Sequence, residues 1–473
     1  MEDLQGGSNV LYFMRVRLPE HVHSLLESGN VARAVEEIKS LLQEKRREER
    51  LRLLFELERL RRLAREYPYS VKEAFELASK ELPSLALEEF QSLIAKGCVD
   101  SLTLNGEVKV FRRFIPNMFW LCPELEGRRR RRVSELEEIA RESLRRRAMR
   151  VSEALAGGRA GHLLPLKYTV RFTLRVAPRE PCSGKVRVWV PIPREEGINR
   201  GFRILQSHPE PKALAPPDHP QRTAYFELEG EGSVSLTYEY VSYGFGARLD
   251  SSEAWVDESS DVFKKYTAET PPHIAFTDYL VRLTERVVGG EKNPLLRAKR
   301  IWEWITSNVR YTFAQDYALY DNISEYVARN LRGDCGMQAL LFITMARIAG
   351  VPARWQSGWY MNPVRHGMHD WAQMFLEPYG WVYVDPSFGN KRRGEEWRTE
   401  FYFGSTEGFR LAANSDISTQ FYPPKKHFRS DPVDNQQGEV ECDDRNLYYD
   451  EWESRLEILE VERVEEGETT LSP

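Results

Sequence analysis

Hydrophobic positions recur along this chain with two periods, and the changes of period divide it. From about residue 20 to 155 the spacing is helical. His21 to Ser40 opens this stretch, and the charged Leu41 to Glu66 follows, with Leu51, Leu54, Leu57, Leu60 and Leu63 forming one apolar stripe among arginines and glutamates. Pro68 ends that segment, and Val71 to Ala95 supplies a further helix or two, interrupted at Pro83. Ser101 to Val110 reads as a short hairpin about Asn105-Gly106. From Leu166 to about Gly244 the period falls to two, as in Tyr168 to Val176, Lys185 to Val190 and Ser233 to Tyr240, with prolines between the runs.

Helical spacing returns at Phe276 to Val288 and Pro294 to Val309, then after a loop rich in Tyr, Asp and Asn at Cys335 to Ala349, which Gly350 and Pro352 close. Three strands follow: Ala353 to Tyr360, a segment opening at His369, and Trp381 to Asp385, the last two joined at Pro378-Tyr379-Gly380. The predicted fold is α+β in three parts. Residues 1–160 form a mainly helical region closed by the glycine-rich 157–161, residues 161–250 an antiparallel β-sandwich, and residues 251–473 a core with a C-terminal extension. That extension contains a hairpin over 438–449 that adds to the core sheet or covers the site, and acidic residues 460–468 form a frayed end.

Composition narrows the partners. A net charge of −5 and a pI near 6.1 give no global attraction to nucleic acid or an anionic membrane. The run Arg128 to Arg132 precedes Glu135, Glu137, Glu138 and Glu142 and reads as a solvated, mixed-charge face. No apolar run approaches the roughly 20 residues of a membrane span, and the acidic Met1-Glu2-Asp3-Leu4 does not resemble an export leader. Five cysteines, odd in number and without a C-x-x-C pair, argue against a disulfide framework or a cysteine-rich zinc site, so the expected location is cytoplasmic. His427, beside Lys425 and Lys426, reads as a surface residue.

The candidate chemistry starts at Cys335, the first residue of its helix. Asp334 can cap the free amides, Gly333 can supply unusual backbone angles for a sharp turn, and the helix dipole favours thiolate over thiol. A buried structural cysteine explains the same position. A thiol nucleophile needs a base, and that imidazole needs an acceptor to set its tautomer. His369 and Asp385 supply those roles, with His366 as a rival base. A hairpin symmetric about Pro378/Tyr379 sets Asp385 opposite Ala372, so reaching His369 calls for a stagger of about three residues.

The blocks G-D-C-x(3)-A-L-L-F-x-x-M-A-R-x-A-G-V-P-A-R, H-D-W-A-Q-M-F-L and Y-G-W-V-Y-V-D-P occur in this order between residues 333 and 386. Together they resemble the transglutaminase-like superfamily of papain-like thiol enzymes, over roughly residues 270–390. The resemblance implies a cysteine helix packed on an antiparallel sheet, Cys335 as nucleophile, His369 as general base and acid, and Asp385 as its orienting residue. It implies acyl transfer at a carboxamide with the Cys335 N–H in the oxyanion site. Gln315, Tyr320, Asn322 and the indoles of Trp302 or Trp304 are candidates for the second donor, and Trp371 and Trp381 for walls of the site. The expected function is a cysteine peptidase or amidase acting on a peptide or protein substrate, with no cofactor and no metal. The alternatives are a glutamine-lysine transglutaminase, whose animal members carry calcium sites and β-domains after the core; a peptide N-glycanase, whose C-x-x-C zinc motifs are missing here; and a binding or assembly protein with a relic site.

Overall fold

The computed structural model describes residues 9–43, 46–130, 134–391 and 394–464. In the N-terminal region the helices Glu20–Glu27, Val31–Leu41 and Arg47–Glu66 precede Val71–Glu81, Leu87–Ala95 and Phe114–Leu121. Ser70 starts one of these with a capping box, its hydroxyl accepting from the Glu73 N–H while the Glu73 carboxylate accepts from the Ser70 N–H. Ser101–Leu104 and Glu107–Val110 pair antiparallel, and Asn105 and Gly106 take φ of 49° and 83° as a two-residue hairpin turn demands. Arg47–Glu66 is more than an amphipathic helix. Arg52, Glu56, Arg59 and Arg62 are buried beside its leucines, because the helix is a strut against the rest of the chain. Arg62 donates to the Arg429 and Ser430 carbonyls, both at 2.7 Å, and pairs with Asp316 at 3.2 Å. Of the arginine run, Arg128 pairs with Glu89 and Arg129 with Glu81, while Arg131 and Arg132 lie outside the described residues, as does the Met1 to Leu4 segment.

The β-sandwich has two antiparallel sheets, and the C-terminal extension completes both. Trp452–Arg463 lies along Gly161–Val176, whose other neighbour is Gly232–Gly246. In the second sheet Glu439–Glu441 pairs with Val186–Pro191 and carries Asn446–Leu447 on its outer edge. The hairpin over 438–449 thus joins the sandwich, while Arg410–Asn414 of the same extension adds to the core sheet beside Ala353–Tyr360; the last residues, expected to fray, form strand as far as Arg463. Residues 465–468 lie outside the described residues. His427 is buried against Glu441, not at the surface.

The cysteines also depart from expectation. Cys98 is joined to Cys122 within the helical region and Cys182 to Cys442 across the sandwich, with Cα separations of 5.8 and 5.5 Å, and Cys335 alone is free. Pairs 24 and 260 residues apart leave no local signature in a sequence.

In the remaining part, helices Asp278–Val288, Pro294–Asn308, Ile323–Asn330 and Cys335–Ile348 pack against a four-stranded antiparallel sheet. Its order is Gly380–Val384, Gly367–Leu376, Ala353–Tyr360 and Arg410–Asn414. Every residue of Cys335–Ile348 but the last is buried, as expected of a helix enclosed on all sides. Among the described residues, no helix is long and apolar enough to cross a membrane.

Alkylating the unfolded chain without reductant is expected to label one thiol, and five after reduction, read by intact mass. Five labels before reduction contradict the pairing.

Candidate active site

The chain reaches the cysteine helix through Leu331, in the left-handed region at φ 52°, and not through an unusual Gly333. Gly333 is needed for space, since a Cβ there would lie 2.8 Å from that of Met337. Asp334 caps the helix by accepting from the Met337 N–H at 3.1 Å, and its Oδ1 also takes the Tyr317 hydroxyl at 2.5 Å. Gly336 lets this first turn press against the sheet, where any side chain would come closer than 3.0 Å to Asp370 and Trp355.

The strands place two neighbouring residues on opposite faces. Asp370, opposite Ser357, faces the cysteine helix, and the Cys335 thiol donates to its Oδ2 at 3.3 Å. His369 and Trp371 take the other face. Ala372 pairs with Val384, so Asp385 falls one step beyond, level with Trp371, and reaches His369 diagonally without the three-residue stagger. His369 Nε2 meets Asp385 Oδ2 at 2.7 Å, and the Phe388 ring stacks on the imidazole with centroids 4.2 Å apart.

Asp385 is in turn tied down. Its Oδ1 accepts from Ser387 Oγ at 3.1 Å and the Phe388 N–H at 3.0 Å, and Arg410 reaches its Oδ2 at 3.0 Å while bonding Glu407 at 2.9 Å. Burial alone raises the Asp385 carboxyl, but His369 and Arg410 outweigh it and hold the group below the usual carboxylate range. Burial lowers His369 more than Asp385 raises it, so the imidazole is neutral at pH 7. Its Nε2–H is then donated to Asp385, which leaves Nδ1 as the acceptor. Burial pushes the Cys335 thiol well above its ordinary value, and Asp370 and Asp334 push it further. These effects oppose the helix dipole expected to favour thiolate. Asp370, buried with no cation paired to it among the described residues, is itself pushed well up by burial and by Asp434 and Asp334.

Cys335, His369 and Asp370 line one cavity of about 790 Å³. The opposite wall comes from the N-terminal region, through Glu66, Arg112, Arg113 and Trp120, and from Glu137 and Arg141 on the helix Glu135–Ala156. Gln436 closes one end, donating to Asp370 Oδ1 at 2.6 Å and to the Gly358 and His369 carbonyls at 3.0 and 3.1 Å.

Residues 281–386 match the family model of the transglutaminase-like superfamily. Over this stretch the chain carries a transglutaminase-like domain. A curated Haemophilus influenzae protein, itself uncharacterized, is 25% identical over 202 residues, 35% of this chain and 54% of the relative, so the chain spans about half the length of the curated relative it matches. Similar solved structures include a Cytophaga hutchinsonii protein provisionally described as a cysteine protease, at 13% identity and TM-score 0.42, covering 64% of this chain and 91% of that one. The periplasmic domain of TgpA from Pseudomonas aeruginosa is similar at 14% identity and TM-score 0.28, covering 51% and 94%.

Within the transglutaminase-like domain the remaining sequence candidates separate. Gln315 lines the cavity, and its Oε1 is buried without a partner among the described residues. Asn322 instead caps Ile323–Asn330, accepting from the Glu325 N–H at 3.0 Å, and Trp302 is core, packed on Phe403 and Gly389. Trp371 is buried behind His369 with its indole N–H unpartnered among the described residues, Tyr320 lies outside the cavity, and Trp381 packs on Phe375 and Tyr266. His366 lines the cavity, but its Nε2 meets the Leu456 carbonyl at 2.9 Å. Sequence reasoning missed Asp370, Gln436, Arg410 and Glu407. Asp370 was visible beside His369, whereas the other three come from distant segments with no motif.

A raised thiol ionises late, so alkylation of Cys335 by iodoacetamide should still be accelerating above pH 9. D370N removes an acid whose ionised form raises the thiol and is expected to shift the profile to lower pH; an unchanged profile or one moved to higher pH contradicts the assignment. R410M leaves Glu407 buried without its partner and should cost about 3–5 kcal/mol in urea unfolding.

Proposed function

We propose that this protein is a thiol hydrolase of peptide-type amides, a cysteine peptidase or amidase working through an acyl-enzyme on Cys335. The observation that carries the reading is the shared cavity, which the free cysteine lines together with a histidine bonded to Asp385 at 2.7 Å. In the proposed sequence the thiol turns from Asp370 towards His369 and its proton passes to Nδ1. The sulfur forms a bond to the amide carbon. The tetrahedral oxyanion is met by the Cys335 N–H, at a helix position whose amide has no carbonyl within the helix, and by the Gln315 side chain. Nδ1–H then protonates the leaving nitrogen as the C–N bond breaks, and water, deprotonated by the same nitrogen, releases the acid.

A second reading, a binding or assembly protein with a relic site, is favoured by one observation: the thiol rests on Asp370, at 3.3 Å, rather than on His369. Transamidation, with a lysine amine in place of water, uses the same acyl-enzyme and differs only in the acceptor. The substrate in each catalytic reading is a peptide or protein. The two disulfides support an oxidising compartment in place of the cytoplasm expected from the sequence.

Incubation with a library of short peptide amides and glutamine peptides should add an acyl mass to Cys335, with release to water faster than to an added amine. C335A should form no adduct, and D385N should lose on the order of 10²–10⁴ in turnover with its fold intact. Faster release to the amine would favour transamidation, and no adduct from any library member would favour the relic reading.

A further inference from the structure

The charges along the cavity are mostly spoken for. Arg112 pairs with Glu66 at 2.7 Å, Arg365 with Glu137 at 2.5 Å, and Arg398 with Glu395 at 2.5 Å. Asp316 is held by Arg62, Asp334 by Tyr317 and the helix amide, and Asp370 by Gln436. Arg141 and Arg113 have no such partner among the described residues, and Arg113 is the one of the two that lies against an aromatic ring. It stands at the head of Phe114–Leu121, exposed on the cavity wall, and makes no ion pair or hydrogen bond among the described residues. It feels Asp334 and Glu66 through space but pairs with neither.

The surroundings of Arg113 make a corner with a defined chemistry. Its guanidinium lies over the Phe313 ring, 3.2 Å from the centroid. Trp120 packs beside Phe313 and Tyr311, with centroids 5.1 and 5.2 Å away, and remains 41% exposed, enough to present an indole edge to the cavity. A guanidinium stacked by its face keeps its edge donors free, in the fork geometry that matches a carboxylate. Arginines that only brace this fold behave otherwise: Arg62, Arg194 and Arg347 turn their donors onto backbone carbonyls.

We propose that Arg113, with Trp120, Tyr311 and Phe313, forms a subsite for a free carboxylate next to an apolar side chain, so that the substrate is a peptide-type amide ending in such a carboxylate. This rests on the acyl-transfer reading of Cys335 for its link to catalysis, because the corner opens into the same cavity. The guanidinium fork takes the carboxylate, and the exposed indole takes the neighbouring side chain. The N-terminal region thereby becomes part of substrate selection, with the transglutaminase-like domain supplying the reacting groups.

The test is calorimetric titration of the full chain with N-acetylphenylalanine and, separately, N-acetylphenylalaninamide, which differ only in the carboxylate. The acid is expected to bind on the order of tenfold more tightly than the amide, as a charge-assisted bidentate contact would give. R113M should abolish that preference without lowering the thermal midpoint. If R113M fails to fold, R113K should keep part of the preference and R113Q lose it. Equal binding of acid and amide, no saturable binding of either, or a preference that survives R113M would each overturn the proposal. The titration reads binding without chemistry and can be repeated on C335A, so a failure of the acyl-enzyme reading remains distinguishable from a failure of this one.

Discussion

Burial of the Cys335–Ile348 helix along all but its last residue is the constraint on which the site depends. A helix end exposed to water would let its dipole and the solvent favour a thiolate. Here the first turn is pressed onto the sheet at Gly336, and the carboxyls of Asp334 and Asp370 are the polar neighbours of the sulfur. Desolvation and carboxylates act in the same direction, against a terminal dipole that is worth only about 0.3–1 kcal/mol in exposed settings, up to about 2 when partly buried. The resting thiol is therefore neutral and sits on Asp370.

The opposite face of the same strand obeys a different electrostatic rule. Asp385 is as buried as Asp370, yet Arg410 stands against it and Glu407 balances Arg410, so the carboxylate stays ionised. Two carboxyls at a similar depth, attached to adjacent strands, are driven apart because His369 and Arg410 face one, while Asp434 and Asp334 face the other. That difference gives His369 a fixed tautomer and leaves the cysteine uncharged. Arg410 comes from the strand on the far side of Ala353–Tyr360, so this sheet edge sets the electrostatics of the site as well as its packing.

Much of this was legible before the structure, where local chemistry determines the outcome. The apolar run after Cys335 with Gly350 and Pro352, the Asn105-Gly106 turn and the alternating Tyr168 to Val176 segment each follow from short-range preferences, and each became the expected element. The order of Cys335, His369 and Asp385 pointed to one cavity region, and the observed register brought His369 and Asp385 together more simply than expected. What was illegible depends on distance along the chain. Glu439–Glu441 is too short to announce Val186–Pro191 as its partner, Arg410 has no motif around it, and Cys182 meets Cys442 across 260 residues. The helix Arg47–Glu66 misled for another reason: its arginines look solvated until Asp316 and the 429–430 carbonyls arrive to bury them.

The central claim is that the thiol and imidazole rest as a neutral pair, with the histidine proton on the nitrogen facing Asp385. The nitrogen-15 shifts of the His369 side chain measure this directly at pH 7. The account predicts a neutral ring protonated at Nε2 and bare at Nδ1. An imidazolium protonated on both nitrogens, with the matching thiolate at Cys335, would contradict it.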